Sequence, residues 1–278
     1  MLTVNIGPFP VPVSQLLLLV ALLAALAVGH LVGRRQKTGG IGHSLSDMLL
    51  VGLLVARIAF VVIWFDSYRH APWSMLDIRD GGFTPWAGVA AALLVAVWQG
   101  GRRASLRKPL ILGLAAGALV WGAMSGALRM MEEEKPALPT VQLTTLAGLP
   151  ADLAGLAAGK PLVVNLWASW CPPCRREMPV LAAAQQQETG VVFVFANQGE
   201  DGAAALRYLF TGQLALANVL LDPDAALGKA VGSTALPTTL FYDARGRLVD
   251  THLGELSAAS LASKLQRLRA PTDFSTQQ

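Results

Sequence analysis

A helical membrane domain of four spans followed by an α/β domain is the architecture this sequence predicts, and three observations predict it. The first 128 residues are filled by long Leu/Ala/Val runs, in a chain that is 53% hydrophobic and only 14% charged. From Val141 onward, short apolar runs alternate with helix-period segments instead. The only two cysteines, Cys171 and Cys174, lie three apart just after one such run, Leu162–Trp167.

The first half is a problem of solvation by lipid. Apolar stretches at 13–32, 45–65, 83–98 and 110–128 each read as a transmembrane helix, although the third is short for a bilayer crossing. The first could be mistaken for a cleavable signal, with Ala25-Leu26-Ala27 as a cutting site. No Lys or Arg precedes it, however, and the basic cluster follows it, so it is read as a retained span. The connections differ in charge. Arg34, Arg35 and Lys37 follow the first span, and Arg102, Arg103, Arg107 and Lys108 follow the third. The second connection mixes Arg69 and Arg79 with Asp66, Asp77 and Asp80, and the exit from the fourth span carries Glu132, Glu133 and Glu134. Basic connections stay cytoplasmic, which places both termini and the C-terminal domain outside. The net charge of +4 is thereby explained without a nucleic-acid partner.

Two features inside the spans carry hypotheses of their own. Arg57 lies well within the second span, where a charge needs a partner, a polar cavity or a lipid headgroup. Gly113 with Gly117 and Gly122 with Gly126 place small residues four apart, the spacing that lets helices pack closely; packing within the bundle is preferred to dimerisation.

Domain limits follow from composition: a membrane anchor over 1–129, a charged and proline-bearing linker over 130–140 that suits a semi-extended tether, an α/β domain over 141–270, and a flexible tail over 271–278. Expected strands are 141–146, 162–167, 191–196, 218–221, 238–242 and 247–253, the last two joined at Asp243-Ala244-Arg245-Gly246. Expected helices cover 172–188, 203–210 and 257–268. Strands alternating with helices give a central sheet covered on both faces, and about 130 residues bury an adequate core without structural disulfides.

The cysteine pair carries the chemistry. At the start of a helix, residues at i and i+3 share a face, so the sulfurs reach the Cα spacing of about 5–6 Å that a disulfide needs. Cys171 at the helix N-terminus faces unpaired N–H groups and the positive end of the helix dipole, which favours a thiolate below the free value of about 8.5. It is the attacking sulfur. Cys174, one turn in and more buried, resolves the mixed disulfide. A structural bridge over so short a loop restrains little of the unfolded chain. A zinc site needs two more ligands, and His30, His43, His70 and His252 are scattered. The redox reading is therefore preferred, with no cofactor and no metal.

The stretch Asn165-Leu166-Trp167-Ala168-Ser169-Trp170-Cys171-Pro172-Pro173-Cys174-Arg175-Arg176-Glu177-Met178-Pro179 resembles the TlpA/ResA-type thioredoxin-like thiol:disulfide oxidoreductases. Further support comes from Ala196–Asp201, Leu236–Asp243 and Gly246–Val249. The resemblance implies a thioredoxin-like fold in which Pro237 is a cis-proline facing the disulfide, against the ordinary reading of a trans proline opening an edge strand. It implies that Trp170, Leu236, Pro237 and Thr238 receive the substrate, with Trp170 over the sulfurs; Trp167 is read as core. Asn165 stands where thioredoxin keeps a buried acid. An amide accepts no proton, so the base for Cys174 is left unassigned, and Glu177 is read as a solvated helix-face charge.

The membrane half is similar to the beginning of prolipoprotein diacylglyceryl transferase, on Ile6-Gly7-Pro8, Arg57-Ile58 and Asp80-Gly81-Gly82-Phe83 in order. Where that family continues with His-Gly-Gly, this chain has Trp86-Ala87-Gly88. The half is read as a degenerate relative serving as an anchor.

Together these readings describe a thiol:disulfide oxidoreductase anchored in the bacterial inner membrane with its redox domain in the periplasm. Family resemblance favours reduction of protein disulfides, including those of cytochrome c maturation. No span holds a cysteine, so electrons come from another protein, by resemblance a DsbD/CcdA-like membrane donor. Expected partners are disulfide-containing extracytoplasmic proteins and the lipid bilayer. The alternatives are a copper-binding thiol chaperone and a lipid-modifying membrane protein with a redox accessory domain.

Overall fold

Alternation of apolar runs with helix-period segments resolves, in a computed structural model, into two compact units; residues 3–6, 9–35, 41–69, 72–131 and 137–269 are described. Lys37, His70, Gly7-Pro8, the acidic run 132–134 with Lys135 and Pro136, and the tail 271–278 lie outside the described residues. One unit comprises Val11–Phe65 and Gly82–Glu133. The other comprises Met1–Pro10, Asp66–Gly81 and Glu134–Gln278, so the connection after the second span groups with the α/β domain.

Strands β1 (Thr3–Ile6) and β2 (Phe9–Pro12) form a two-stranded sheet. The helical unit then contains α1 (Val13–Arg35), α2 (Ile41–Ile63), α4 (Pro85–Arg102) and α5 (Ala104–Met131); the short α3 (Phe65–Tyr68) follows α2 in sequence and, from Asp66 on, groups with the other unit. Among the described residues, three helices are long and apolar enough to cross a membrane: Leu16–Arg35, Ile41–Ile63 and Ala104–Leu128. The expectation of four such spans is corrected to three. The third, at 83–98, does form a helix, but Pro85-Trp86 and Gln99-Gly100-Gly101-Arg102 at its ends leave a short apolar stretch.

Small residues set the seams of this unit. A Cβ on Gly113 would stand 2.8 Å from the Ala25 carbonyl, and one on Gly117 would stand 3.0 Å from the Ala21 carbonyl, so α1 and α5 pack antiparallel in backbone contact. Gly88 and Gly52 play the same part between α4 and α2, with the amide of Thr84 on the Ala56 carbonyl and Gln99 reaching Asp47 at 3.3 Å. Gly122 and Gly126, by contrast, face open space. Arg57 is buried to 7% exposure and donates to the Gly82 carbonyl at 2.7 Å, with its guanidinium over the Phe83 ring. Leu50, Leu54, Val62, Leu94, Val97 and Leu119 point outward, so the exterior of the unit is apolar.

The α/β domain is built on seven strands, β3 (Leu143–Thr145), β4 (Pro150–Ala151), β5 (Leu162–Trp167), β6 (Val192–Gln198), β7 (Val219–Asp222), β8 (Thr238–Tyr242) and β9 (Leu248–Leu253), in the order β4-β3-β7-β6-β5-β8-β9. Crossovers through α7 (Pro172–Gln187) and α8 (Gly202–Thr211) make β5, β6 and β7 parallel, while β8 pairs antiparallel with β5. The helices α6 (Leu153–Ala157) and α9 (Ala226–Ala230) and the strand β4 are additions to the sequence expectation, and α10 (Ala258–Arg269) closes the domain. Every residue of β5 is buried, as a central strand covered on both faces requires. The β8–β9 hairpin turns where the sequence placed it, because Gly246 adopts a φ of 73° and Asp243 Oδ1 accepts from the Arg245 and Arg247 amides.

The seam at Gly113 yields a direct expectation. Gly113→Val should destabilise the full-length protein in detergent by about 1–3 kcal/mol through overpacking, whereas Gly122→Val should leave thermal unfolding unchanged.

Candidate active site

Strand β5 ends at Trp167, and the chain turns through Ala168–Trp170 into α7, which carries the two cysteines on its first turn. The turn is held by Glu200, whose carboxylate accepts from the Ser169 amide (2.6 Å), the Ser169 hydroxyl and Asn197 Nδ2 (2.7 Å). Cys171 is the N-cap residue, and its Sγ accepts from the Cys174 amide at 3.3 Å. Cys171 and Cys174 form a disulfide with a Cα–Cα distance of 5.3 Å. Cys171 retains 3% exposure and Cys174 none.

The peptide bond Leu236-Pro237 is cis. Thr238 opens β8 and pairs with Leu166 on β5 and with Leu253 on β9, which brings the proline to the same end of the sheet as the disulfide. Leu236 packs on the core cluster that contains both cysteines. The Thr238 side chain is wholly buried, its hydroxyl donating to the Ala235 carbonyl at 2.7 Å and meeting Ser233 Oγ at 2.8 Å. Trp170 is 65% exposed, while Trp167 is fully buried against Tyr208. Proline at position 179 lacks the amide that would bond the Arg175 carbonyl, and Tyr208 Oη donates to that carbonyl at 3.4 Å instead. A groove of about 450 Å³ beside Pro172 is lined by Arg175, Pro179, Tyr208 and Leu214.

Glu177 corrects the sequence reading. It is a fully buried carboxyl, and no solvated charge. Its Oε1 accepts from Asn165 Nδ2 at 2.7 Å, and its Oε2 accepts from the Leu256 amide at 2.9 Å. Asn165 also donates to Thr239 at 3.0 Å. Burial pushes the Glu177 carboxyl up to about 8, against the opposing pull of the Leu256 amide and Asn165; the Glu255 charge adds to the rise. Glu177 and Cys174 are three apart on α7, both wholly buried, so they share its inward face. The signal that could have revealed this is the helix period: Cys174, Glu177, Met178 and Leu181 form one stripe. His252, also buried, is held down at about 4 by burial and by the Lys264 charge. Among the described residues no cluster of three His, Cys, Asp or Glu side chains is placed to hold a metal ion.

The Redoxin family model matches residues 132–265, and that of prolipoprotein diacylglyceryl transferase matches residues 1–128. A thiol:disulfide interchange protein DsbE of Pseudomonas fluorescens biotype C is 36% identical over 134 residues, covering 47% of this chain and 74% of that protein. The DsbE of Tatumella citrea is 33% identical over 171 residues, covering 58% of this chain and 90% of its own. The chain belongs to the DsbE family of thiol:disulfide interchange proteins. As a DsbE-family protein it is a thiol:disulfide oxidoreductase, with a Redoxin domain in its C-terminal half and a transferase-like N-terminal half. Among solved structures, MTB dsbF is similar at 27% identity with a TM-score of 0.45, covering 49% of this chain and 99% of that one.

The raised Glu177 value has a stability consequence. A carboxyl whose folded value lies above its unfolded one binds its proton more tightly in the native state, so native stability falls as pH rises from 4.5 to about 8. Glu177→Gln removes this loss. The stability of the variant relative to the parent should therefore rise across that window in urea titrations, and a pH-independent difference would contradict the assignment.

Proposed function

We propose that this chain is a membrane-anchored, extracytoplasmic reductase of protein disulfides, with Cys171 as nucleophile and Cys174 as resolving thiol. The observation that carries the reading is the asymmetry of the pair: Cys171 caps α7 with its sulfur on a backbone amide, and Cys174 is closed off from solvent. The reduced protein attacks a substrate disulfide through the Cys171 thiolate, forming a mixed disulfide and releasing one substrate thiolate. Cys174 then attacks Cys171 Sγ, which re-forms the Cys171–Cys174 bond and releases the second substrate thiolate. Two electrons pass to the substrate. A membrane dithiol donor of the DsbD/CcdA kind returns them by the reverse exchange, and cytochrome c maturation proteins are the proposed class of target.

Glu177 supplies the base that the sequence left unassigned. A carboxyl raised to about 8 by burial is a stronger base than an ordinary carboxylate, which suits it to take the Cys174 proton. Asn165 acts through it, by orienting Oε1. The cis Leu236-Pro237 segment offers backbone to an incoming peptide, and exposed Trp170 borders it. Buried Thr238 fixes that segment from beneath.

Anchoring is supported by three apolar helices whose outer faces are unburied. The antiparallel packing of α4 on α2 through Gly88 and Gly52 supports its crossing as a fourth, shorter element. Basic connections on the cytoplasmic side then leave the redox domain outside.

Cys174→Ala should accumulate mixed disulfides on Cys171, and Cys171→Ala should abolish exchange with a test disulfide; continued turnover by the latter would overturn the assignment. Glu177→Gln should slow release of the mixed disulfide about 10- to 100-fold near pH 7, measured by stopped-flow, with the first attack little changed. In a cysteine-free background, Gly101→Cys should resist an impermeant maleimide added to intact spheroplasts, while Lys160→Cys reacts.

A further inference from the structure

The Asp80-Gly81 pair, noted for its likeness to a transferase motif, has a place in the redox unit. The connection Asp66–Gly81 belongs to the same compact unit as the C-terminal domain. Asp80 is 4% exposed, and its Oδ2 accepts from Tyr68 Oη at 2.6 Å and from Ser257 Oγ at 2.8 Å, the latter 177 positions away in the chain. Tyr68 is 1% exposed. A carboxyl group taken out of water is tolerated only with such donors, so the three residues form a specified joint. Gly81 follows at a φ of 63°, and a Cβ there would stand 3.1 Å from His252 Cε1. The backbone of the connection thus runs against the His252 side chain on β9.

That turn carries two backbone donors into the site. The Gly254 amide bonds the Pro237 carbonyl at 2.9 Å, and the Leu256 amide bonds Glu177 Oε2 at 2.9 Å. Ser257, the residue that Asp80 holds, is next to Leu256. Tyr68, Asp80 and Ser257 also line a cavity of about 190 Å³, together with Ser74, Asp77, Arg176 and Glu255.

We propose that the α2–α4 connection is a latch on the redox site, in which Asp80, with Tyr68 and Ser257, is a positioning residue that fixes the 254–257 turn and through it Glu177 and Pro237. The latch makes the reactivity of the dithiol depend on a segment about ninety residues upstream of it. Its effect on Cys174 rests on the role proposed above for Glu177; its effect on the turn does not.

Full-length protein in detergent micelles provides the test, with two readouts. The first is amide hydrogen exchange over 254–257. The second is the pH profile of alkylation of the reduced protein, which reports only Cys171 and Cys174 because no other cysteine exists. Asp80→Ala should raise exchange in the turn roughly ten-fold; Ser257→Ala, which also removes the acceptor of the Ser260 amide, should raise it at least as much, with the double variant no worse than Ser257→Ala. Both should move the alkylation profile in the direction that Glu177→Gln moves it. Unchanged protection of the turn would overturn the latch. Lowered protection with an unchanged profile, where Glu177→Gln does shift it, would overturn the positioning role. If Glu177→Gln itself leaves the profile flat, the Glu177 reading fails, and lowered protection still supports the latch on the turn. Should Asp80→Ala not fold, Tyr68→Phe removes one donor and carries the same test.

Discussion

A carboxyl group with no access to water, Glu177 behind the disulfide, is the constraint on which the redox site turns. Burial alone would make it costly, and the fold meets that cost with one donor from β5, Asn165, and one from the β9–α10 turn, the Leu256 amide. These three groups come from a strand, a helix and a turn, with the Leu256 amide 79 positions from Glu177. Each must be in register for the others to be satisfied. The same registration places Cys174 on the face of α7 that looks inward and leaves Cys171 at the cap, so helix geometry and depth set the two sulfurs apart, which is the basis of the attacking and resolving roles proposed for them.

The N-terminal unit obeys a different balance. Its exterior is apolar, and inside it a small apolar cluster of Ile41, Leu45, Met48, Leu106 and Leu110 is joined by backbone approach at glycine and by single polar contacts. Gly113 and Gly117 against α1, and Gly52 against Gly88, bring main chains into contact. Arg57 finds the Gly82 carbonyl and the Phe83 ring, which explains how a guanidinium persists inside a helix of this composition. Residues on either side of Gly81-Gly82 therefore serve two masters: Gly82 closes on Arg57 in one unit, and Asp80 closes on Ser257 in the other.

Much of the fold was legible because its signals are local. The run Leu162–Trp167 is apolar at every position, and the strand is buried at every position. The hairpin turn was readable from Asp243 and Gly246, whose chemistry demands that geometry. The elements that escaped notice, β4, α6 and α9, are too short for a periodicity to declare itself. The third hydrophobic run was overcounted as a full-length apolar span because its ends, rich in Gly, Gln and Arg, shorten what composition alone suggests.

What the sequence determined by itself is the redox chemistry and its local frame: two cysteines one helical turn apart after a buried strand, and a proline before Thr238-Thr239. These depend on spacing within a few residues, which the chain carries wherever it folds. Only the tertiary structure decided the state of Glu177, the engagement of Asn165 as a donor rather than a base, and the joint between Asp80 and Ser257. Each of those depends on partners far apart in the chain, and a charge near the surface and a carboxyl in the core read alike until the fold sets the water aside.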